Sequence, residues 1–210
     1  MNTSTIFIMY KTFLASLLLL TGCVASAAFR EPLPDAASRA TPLYFGLQVM
    51  PDAAHNPIDP PERFEGYHVG TDFEVAQEEL ETDVPVFAIC SGEIIYSGFA
   101  EGYGGLIVQH CSLNGEAVTV LYGHLLVVSL AENKTSVGAG TQIALLAPPR
   151  SGDSDGNRKH LHLGIHRGTE PDYRGYVQTK EELDGFIDPF TVLPPQRAGT
   201  EGAIVPYWKQ

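Results

Sequence analysis

The segment His160-Leu161-His162-Leu163-Gly164-Ile165 decides how the rest of the sequence is interpreted. It predicts a β-strand, in which successive side chains point to opposite faces of the sheet. His160 and His162 then lie on one face, while Leu161, Leu163 and Ile165 lie on the other. The aliphatic face can pack on a core. The opposite face can present two imidazoles to one small volume.

The composition fits a globular domain with a substantial core. The chain has 210 residues, of which 44% are hydrophobic and 18% charged, a balance typical of folded proteins. Its 21 glycines, 15 prolines and 10% aromatic residues favour short strands and turns over helix bundles. The net charge of −12 argues against binding to nucleic acid, because the phosphates would be repelled.

Short apolar segments alternate with glycine-containing turns along most of the chain. Strands are predicted at residues 45–50, 67–73, 84–90, 93–97, 106–111, 117–125 and 141–147, and a short helix at 179–183. Leu113-Asn114-Gly115-Glu116 is a hairpin-turn signal between two of these strands. The predicted fold class is therefore all-β, with mainly antiparallel sheets and few short helices.

The first residues have the pattern of a secretion signal. The apolar residues 13–20 follow Lys11 and are too few to span a membrane comfortably, but they suit a signal-peptide core. Leu20-Thr21-Gly22-Cys23 resembles a bacterial lipobox, whereas Ala25-Ser26-Ala27 is an ordinary small-x-small cleavage site. The lipobox is favoured because four residues match it in order, so residues 1–22 are predicted to be a lipoprotein signal peptide.

This signal implies an exported protein, in the periplasm and lipid-anchored through Cys23 to the outer membrane. Residues 23–61 are interpreted as a tether and N-terminal extension, residues 62–195 as the structured domain, and residues 196–210 as a C-terminal tail. With Cys23 lipidated, Cys90 and Cys111 remain, each in a predicted strand. Export favours a disulfide between them, and two separate buried thiols are the alternative.

Four histidines and one aspartate occur in three local contexts that suit a single metal site. His68 and Asp72 are four residues apart across a glycine, His124 ends an apolar strand, and His160 and His162 share a strand face. Imidazole and carboxylate are ordinary zinc ligands, and catalytic zinc keeps an open fourth position beside three protein ligands. His68, Asp72 and one histidine of the pair supply that number, which leaves the other histidines for proton transfer.

These residues resemble, in order and surroundings, the lysostaphin/LytM-type zinc metallopeptidases, which are bacterial cell-wall endopeptidases with the duplicated hybrid motif fold. The resemblance rests on His68-x-x-x-Asp72, Tyr122-x-His124-Leu125 and His160-Leu161-His162. Shorter matching segments begin at Val84, Gly102, Val137 and Ile187. The similarity spans residues 66–193, most of the mature chain.

The resemblance implies a role for each matched residue. His68, Asp72 and His162 would bind Zn²⁺, His160 would be the general base, and His124 would stabilise the oxyanion or orient the attacking water. A bound zinc ion lowers the pKa of water and polarises a carbonyl. The expected activity is zinc-dependent hydrolysis of peptide bonds in peptidoglycan, within stem peptides or cross-links.

Two other classes of function share parts of this pattern. A non-catalytic LytM-like regulator would have a murein amidase as its partner, but such relatives typically lack some of the metal and catalytic residues, and all of them are present here. A lipoyl- or biotinyl-carrier domain has similar glycine-turned strands, but the chain has no lysine in a Met-Lys-Met-like hairpin.

Two local features are left open by the sequence. Residues 150–159, which lead to His160, are longer and more charged than the corresponding segment of the family. Residues 153–157 within this segment are interpreted as a solvated loop, and the segment as a whole leaves the substrate preference undecided. Tyr122 shares strand parity with His124, so it lies either toward the cleft or in the core as a tyrosine with a satisfied hydroxyl.

Overall fold

The computed structural model describes residues 29–193. This part of the chain contains eleven strands and five short 3-10 helices. The strands are β1 (Gln48–Val49), β2 (Gly66–His68), β3 (Gly70–Glu74), β4 (Pro85–Phe87), β5 (Gly92–Ala100), β6 (Gly104–Leu113), β7 (Glu116–Leu125), β8 (Ser136–Val137), β9 (Gln142–Leu145), β10 (His160–Arg167) and β11 (Tyr176–Val177). The helices are Ala36–Ser38, Gln77–Glu79, Val127–Ser129, Glu181–Gly185 and Pro189–Thr191. The predicted all-β class is confirmed.

Several predictions concern residues outside this range. The signal peptide at residues 1–22, the lipidated Cys23 and the tail at 196–210 all lie outside the described residues. The domain boundaries therefore stay predictions. Between residues 29 and 193, no helix is long and apolar enough to cross a membrane.

A six-stranded antiparallel sheet in the order β3-β10-β7-β6-β5-β8 forms the centre of the domain. Two smaller sheets accompany it, one in the order β1-β2-β11 and one formed by β4 and β9. The predicted hairpin is confirmed, because β6 and β7 are joined by Asn114 and Gly115 with φ angles of 52° and 87°. Two consecutive positive φ angles match the twist of the flanking strands, which explains the Asn-Gly sequence there.

The alternation predicted for the histidine strand is present in β10. Leu161, Leu163 and Ile165 are fully buried in the main hydrophobic core, and the two histidines occupy the opposite face. Because β10 lies between β3 and β7, it has a hydrogen-bonded neighbour on both sides. Side chains from three strands can therefore meet on the histidine face.

Tyr122 belongs to the core rather than to the cleft. It is fully buried beside the aliphatic face of β10. Its hydroxyl donates to Gln109 Oε1 and accepts the backbone N–H of Ile89, each at 2.9 Å. Of the two positions that the sequence allowed for this residue, the structure shows the core tyrosine with a satisfied hydroxyl.

Residues 29–61 pack against the domain through their own apolar side chains. Leu33, Leu43, Val49 and Ile58 are all buried, and β1 pairs with β2. The strand predicted at 45–50 is reduced to the two residues of β1. Burying a large aliphatic side chain stabilises a fold by roughly 1.5–3 kcal/mol. The described part of the extension therefore adds to the stability of the domain.

The structure joins Cys90 and Cys111 in a disulfide, with their Cα atoms 6.0 Å apart and a sequence separation of 21. A cross-link closing a loop of about 20 residues stabilises a fold by roughly 3 kcal/mol, chiefly by restricting the unfolded chain.

Replacing both cysteines by serine should lower the free energy of unfolding by about this amount, as measured by urea denaturation. Two thiols that react with an alkylating reagent in the native, oxidised protein would contradict this prediction.

Candidate active site

Three predicted metal ligands converge on one point at the edge of the histidine face. Asp72 on β3 lies directly opposite His162 on β10, and their Oδ1 and Nδ1 atoms are 3.0 Å apart. His68 at the end of β2 places its Nε2 3.0 Å from His162 Nδ1 and 3.3 Å from Asp72 Oδ1. All three residues are almost fully buried.

A glycine makes this convergence possible. Gly70 lies between His68 and Asp72, and a Cβ atom at this position would come within 2.7 Å of the His162 ring and 2.5 Å of the Leu163 carbonyl oxygen. Contacts this short do not occur between real side chains, so the site excludes every residue with a Cβ. Gly70, in the His-x-x-x-Asp segment, therefore leaves the space that the His162 imidazole occupies.

The three donor atoms fit a zinc ion in both chemistry and spacing. They form a group of two imidazole nitrogens and one carboxylate oxygen, which is a common zinc donor set. Atoms bonded to tetrahedral zinc at ~2.0–2.1 Å are separated from one another by roughly 3.3–3.4 Å, close to the 3.0–3.3 Å observed. Three protein donors would leave a tetrahedral zinc ion one coordination position for water or substrate.

His160 lies beside the metal group with a defined orientation. Its Nδ1 is 3.0 Å from the backbone carbonyl of Arg158, which can only accept a hydrogen bond, so Nδ1 carries the proton. Burial lowers the pKa of His160 to about 4, so the ring is neutral at pH 7 and its Nε2 has a free lone pair. This Nε2 lies 3.2 Å from Asp72 Oδ2, where a carboxylate would stabilise the protonated ring.

His124 reaches the same site through an irregularity in β7. Strict alternation would place it on the core side with Tyr122. Instead it is the extra residue of a β-bulge opposite Gly105 and Leu106, with a φ of 63°. This left-handed conformation, which costs a non-glycine residue of order 1–3 kcal/mol, turns the imidazole toward His160, with the ring centroids 4.3 Å apart.

The proton affinities of the site suit hydrolytic chemistry. Burial also lowers the pKa values of His124 and His162, so both rings are neutral near pH 7. Burial opposes ionisation of Asp72, but the surrounding imidazoles, led by His160, hold its pKa well below the ordinary value, because in their protonated form at low pH they attract and hydrogen-bond the carboxylate. At pH 7 the ionised Asp72 thus lies beside the neutral rings of His124, His160 and His162, and neutral imidazole and carboxylate are the forms that bind a metal ion.

Arg158 is a further buried member of the site that the sequence analysis missed. Its Nη2 donates to Asp72 Oδ2 at 2.8 Å and to Glu74 Oε1 at 2.5 Å, and its Nη1 contacts the Glu62 carboxylate. Three carboxyl groups therefore surround one guanidinium. Burial and the neighbouring Asp72 raise the pKa of Glu74 well above its ordinary value, so the negative charge beside the three donor atoms lies mainly on Asp72 and Glu62, and it still exceeds the one positive charge of Arg158. A divalent cation there would balance that excess.

Strand parity offered the signal for these residues. Arg158 precedes His160 by two positions, and Glu74 follows Asp72 by two positions and pairs with His160. The prediction that residues 153–157 form a solvated loop is wrong for Ser154 and Asn157. Ser154 and Asn157 are buried, as is Arg158, which follows them. Asn157 donates a hydrogen bond to the Gly102 carbonyl at 3.1 Å, so this polar side chain is satisfied by the neighbouring loop.

The site lies at the base of a cleft of about 280 Å³. Its lining includes Glu62, Phe64, Tyr103 and Tyr176. Phe64 stacks on Tyr176 at 5.6 Å between ring centroids, and the Tyr176 hydroxyl donates to Glu62 at 2.9 Å. Aromatic walls around a buried polar base are typical of a small-molecule or peptide site.

The remaining histidines do not join the site. His55 is exposed and pairs with Asp52 at 2.8 Å, and His110 contacts the Thr169 carbonyl at 2.9 Å. His166 shares the strand parity of His160 and His162, but its Nδ1 donates to the Glu170 carbonyl at 3.1 Å. Thus the structure brings together His68, Asp72, His124, His160 and His162, and the ligand and catalytic roles of these five stay predictions.

The sequence model of Peptidase family M23 matches residues 66–173. This match spans half of the chain and includes all five of these residues. The chain therefore belongs to Peptidase family M23, and it is a peptidase by family. The resemblance to lysostaphin/LytM-type enzymes is confirmed at this level.

Several solved structures are similar to this chain. The solution structure of lysostaphin is similar with a TM-score of 0.50 at 19% identity, over 83% of this chain and 62% of that one. The catalytic domain of lysostaphin from Staphylococcus simulans gives 0.46 at 19% identity, over 73% and 90%. A zinc containing peptidase from Vibrio cholerae gives 0.47 at 22% identity, over 67% of this chain but only 37% of that one. None of the curated proteins compared with the chain matches it.

The buried guanidinium gives a stability prediction. Arg158→Met should lower the free energy of unfolding of the metal-free protein by about 3–5 kcal/mol, because it leaves Asp72 and Glu74 buried without their cation. The matched control is Arg167→Met, which removes an ion pair with Glu116 whose side chains are 47% and 49% exposed and should cost less than about 1 kcal/mol. Equal losses in the two variants, measured by urea denaturation, would contradict the prediction.

Proposed function

We propose that the protein is a zinc-dependent endopeptidase that hydrolyses peptide bonds in bacterial peptidoglycan. The observation that supports this most directly is the group formed by His68 Nε2, Asp72 Oδ1 and His162 Nδ1, which are 3.0–3.3 Å apart. Two further imidazoles lie beside this group in a chain of family M23. A non-catalytic regulator would have no need for the complete set.

His68, Asp72 and His162 would hold the zinc ion, which would act as a Lewis acid toward the substrate carbonyl and lower the pKa of water. His160 is set to act as the general base, since its Nδ1–H is fixed on the Arg158 carbonyl and its Nε2 can accept a proton from the attacking water. Asp72 Oδ2 then stabilises the imidazolium that forms. This proton is available for the leaving amine in the second half of the reaction.

His124 would contribute on the other side of His160. Its ring is buried and neutral, and it lies against the His160 ring and 5.9 Å from the centroid of Tyr103. An imidazole N–H in this position can donate a hydrogen bond to the oxygen on which negative charge develops. The strained bulge at His124 supports such a role, because sparsely populated backbone conformations concentrate at functional sites.

The proposed substrate and location come from the sequence. The lipobox-like residues 20–23 support export and a lipid anchor on Cys23, which would hold the peptidase at the outer membrane facing the periplasm. Peptidoglycan is the peptide polymer of that compartment, and its stem peptides and cross-links would be the substrate. The alternative, a regulator that activates a murein amidase, predicts no hydrolysis by the zinc-loaded protein.

The test is digestion of purified sacculi by the zinc-loaded protein, with released muropeptides analysed by chromatography. We expect loss of cross-linked species, no loss in the presence of a chelator, and restoration by added Zn²⁺. His160→Ala should lower the rate by about 10²–10⁴-fold, the usual contribution of a general base, while its zinc content stays equal to that of the wild type.

The matched control is His55→Ala, which removes an exposed histidine outside the site and should retain the full rate. A folded, zinc-loaded wild type that releases nothing would contradict the enzyme and favour the regulator. A His160→Ala rate equal to that of the wild type would contradict the assigned base.

A further inference from the structure

Tyr103 places a buried hydroxyl in the cleft, and this hydroxyl has no role in the mechanism proposed above. The side chain is only 7% exposed, and it lines the cleft together with His124, His160 and His162. Within residues 29–193, its Oη has no hydrogen-bond partner. A buried donor without a partner costs free energy, and such groups in a binding cleft point to a ligand that supplies the acceptor.

The ring of Tyr103 is held in one position by its neighbours. Its centroid lies 5.4 Å from that of His162 and 5.9 Å from that of His124. A Cβ atom at Gly123 would come within 2.6 Å of Tyr103 Cδ1, and one at Gly175 within 3.0 Å of its Oη. Gly123 in β7 and Gly175 in the loop before β11 therefore both leave space for the Tyr103 ring.

The acceptors near Tyr103 are occupied by other groups. Asp72 receives hydrogen bonds or close contacts from His162 and Arg158, and Asp172 is bound by Arg174 at 2.6 Å. A phenol is protonated at neutral pH, since its ordinary pKa is about 10, so it offers an O–H donor. A substrate that fills the cleft and displaces water must provide the acceptor, and a peptide carries a carbonyl oxygen at every residue.

We infer that the Tyr103 hydroxyl donates a hydrogen bond to a carbonyl oxygen of the bound peptide. The inference rests on the proposed peptidase function and adds a substrate-contacting residue to it. Tyr103 would act beside His124, since their ring centroids are 5.9 Å apart. Removing one such donor from an active site typically lowers the rate constant by 10²–10³-fold when it contacts the developing oxyanion.

The test compares Tyr103→Phe with Tyr122→Phe. Both changes remove one hydroxyl from a buried tyrosine, but the Tyr122 hydroxyl is bound by Gln109 and Ile89 and faces the core. In Tyr103→Phe, we expect the melting temperature of the metal-free protein to be unchanged or higher and the zinc content to be unchanged. Its kcat/KM on a purified cross-linked muropeptide should fall at least tenfold.

Tyr122→Phe should show the opposite pattern, with a lower melting temperature and an unchanged kcat/KM of the folded fraction. A wild-type kcat/KM in Tyr103→Phe, or a fall in its melting temperature equal to that of Tyr122→Phe, would overturn the inference alone. A wild type that cleaves no muropeptide would contradict the proposed function and the inference together.

Discussion

The carboxylate of Asp72 is the interaction on which the rest of the site depends. Its Oδ1 lies 3.0 Å from His162 and 3.3 Å from His68, and its Oδ2 lies 3.2 Å from His160 and 2.8 Å from Arg158. One oxygen thus faces the two proposed metal-binding imidazoles, while the other faces the proposed base and a guanidinium. The Asp72 side chain therefore fixes the proposed metal ligands relative to the proposed base, because its two oxygens cannot move independently.

The protein stabilises this buried negative charge from two directions. On one side, Arg158 is shared among Asp72, Glu74 and Glu62, so the cation is fixed by carboxylates that are themselves buried. On the other side, the imidazoles present donor atoms suited to a metal ion. Groups that orient metal ligands from outside the coordination sphere commonly change metal affinity or activity 10–100-fold, and Arg158 holds that position here. Glu62 also connects this network to the segment that forms the cleft wall.

The sequence was sufficient for most of the longer strands and for five residues of the site, but not for Arg158 or for the short strands β8 and β11. Alternation along residues 160–165 predicted the imidazole face and the aliphatic face, because one face of β10 is fully buried and a one-residue slip would reverse every side chain. The same parity, extended by two residues in each strand, would have identified Arg158 and Glu74. Charged residues in loops are usually solvated, so composition alone favours an exposed position for Arg158. The position of His124 could not be derived in this way, since a bulge breaks the alternation and local sequence did not mark it.

The central claim is that one zinc ion binds His68, Asp72 and His162. The most direct test is a crystal structure of the zinc-loaded protein with anomalous data at the zinc edge. The account predicts a single anomalous peak bonded to His68 Nε2, Asp72 Oδ1 and His162 Nδ1 at ~2.0–2.2 Å, with one position left for water. A peak bonded to other residues, or no peak among these three side chains at saturating zinc, would contradict it.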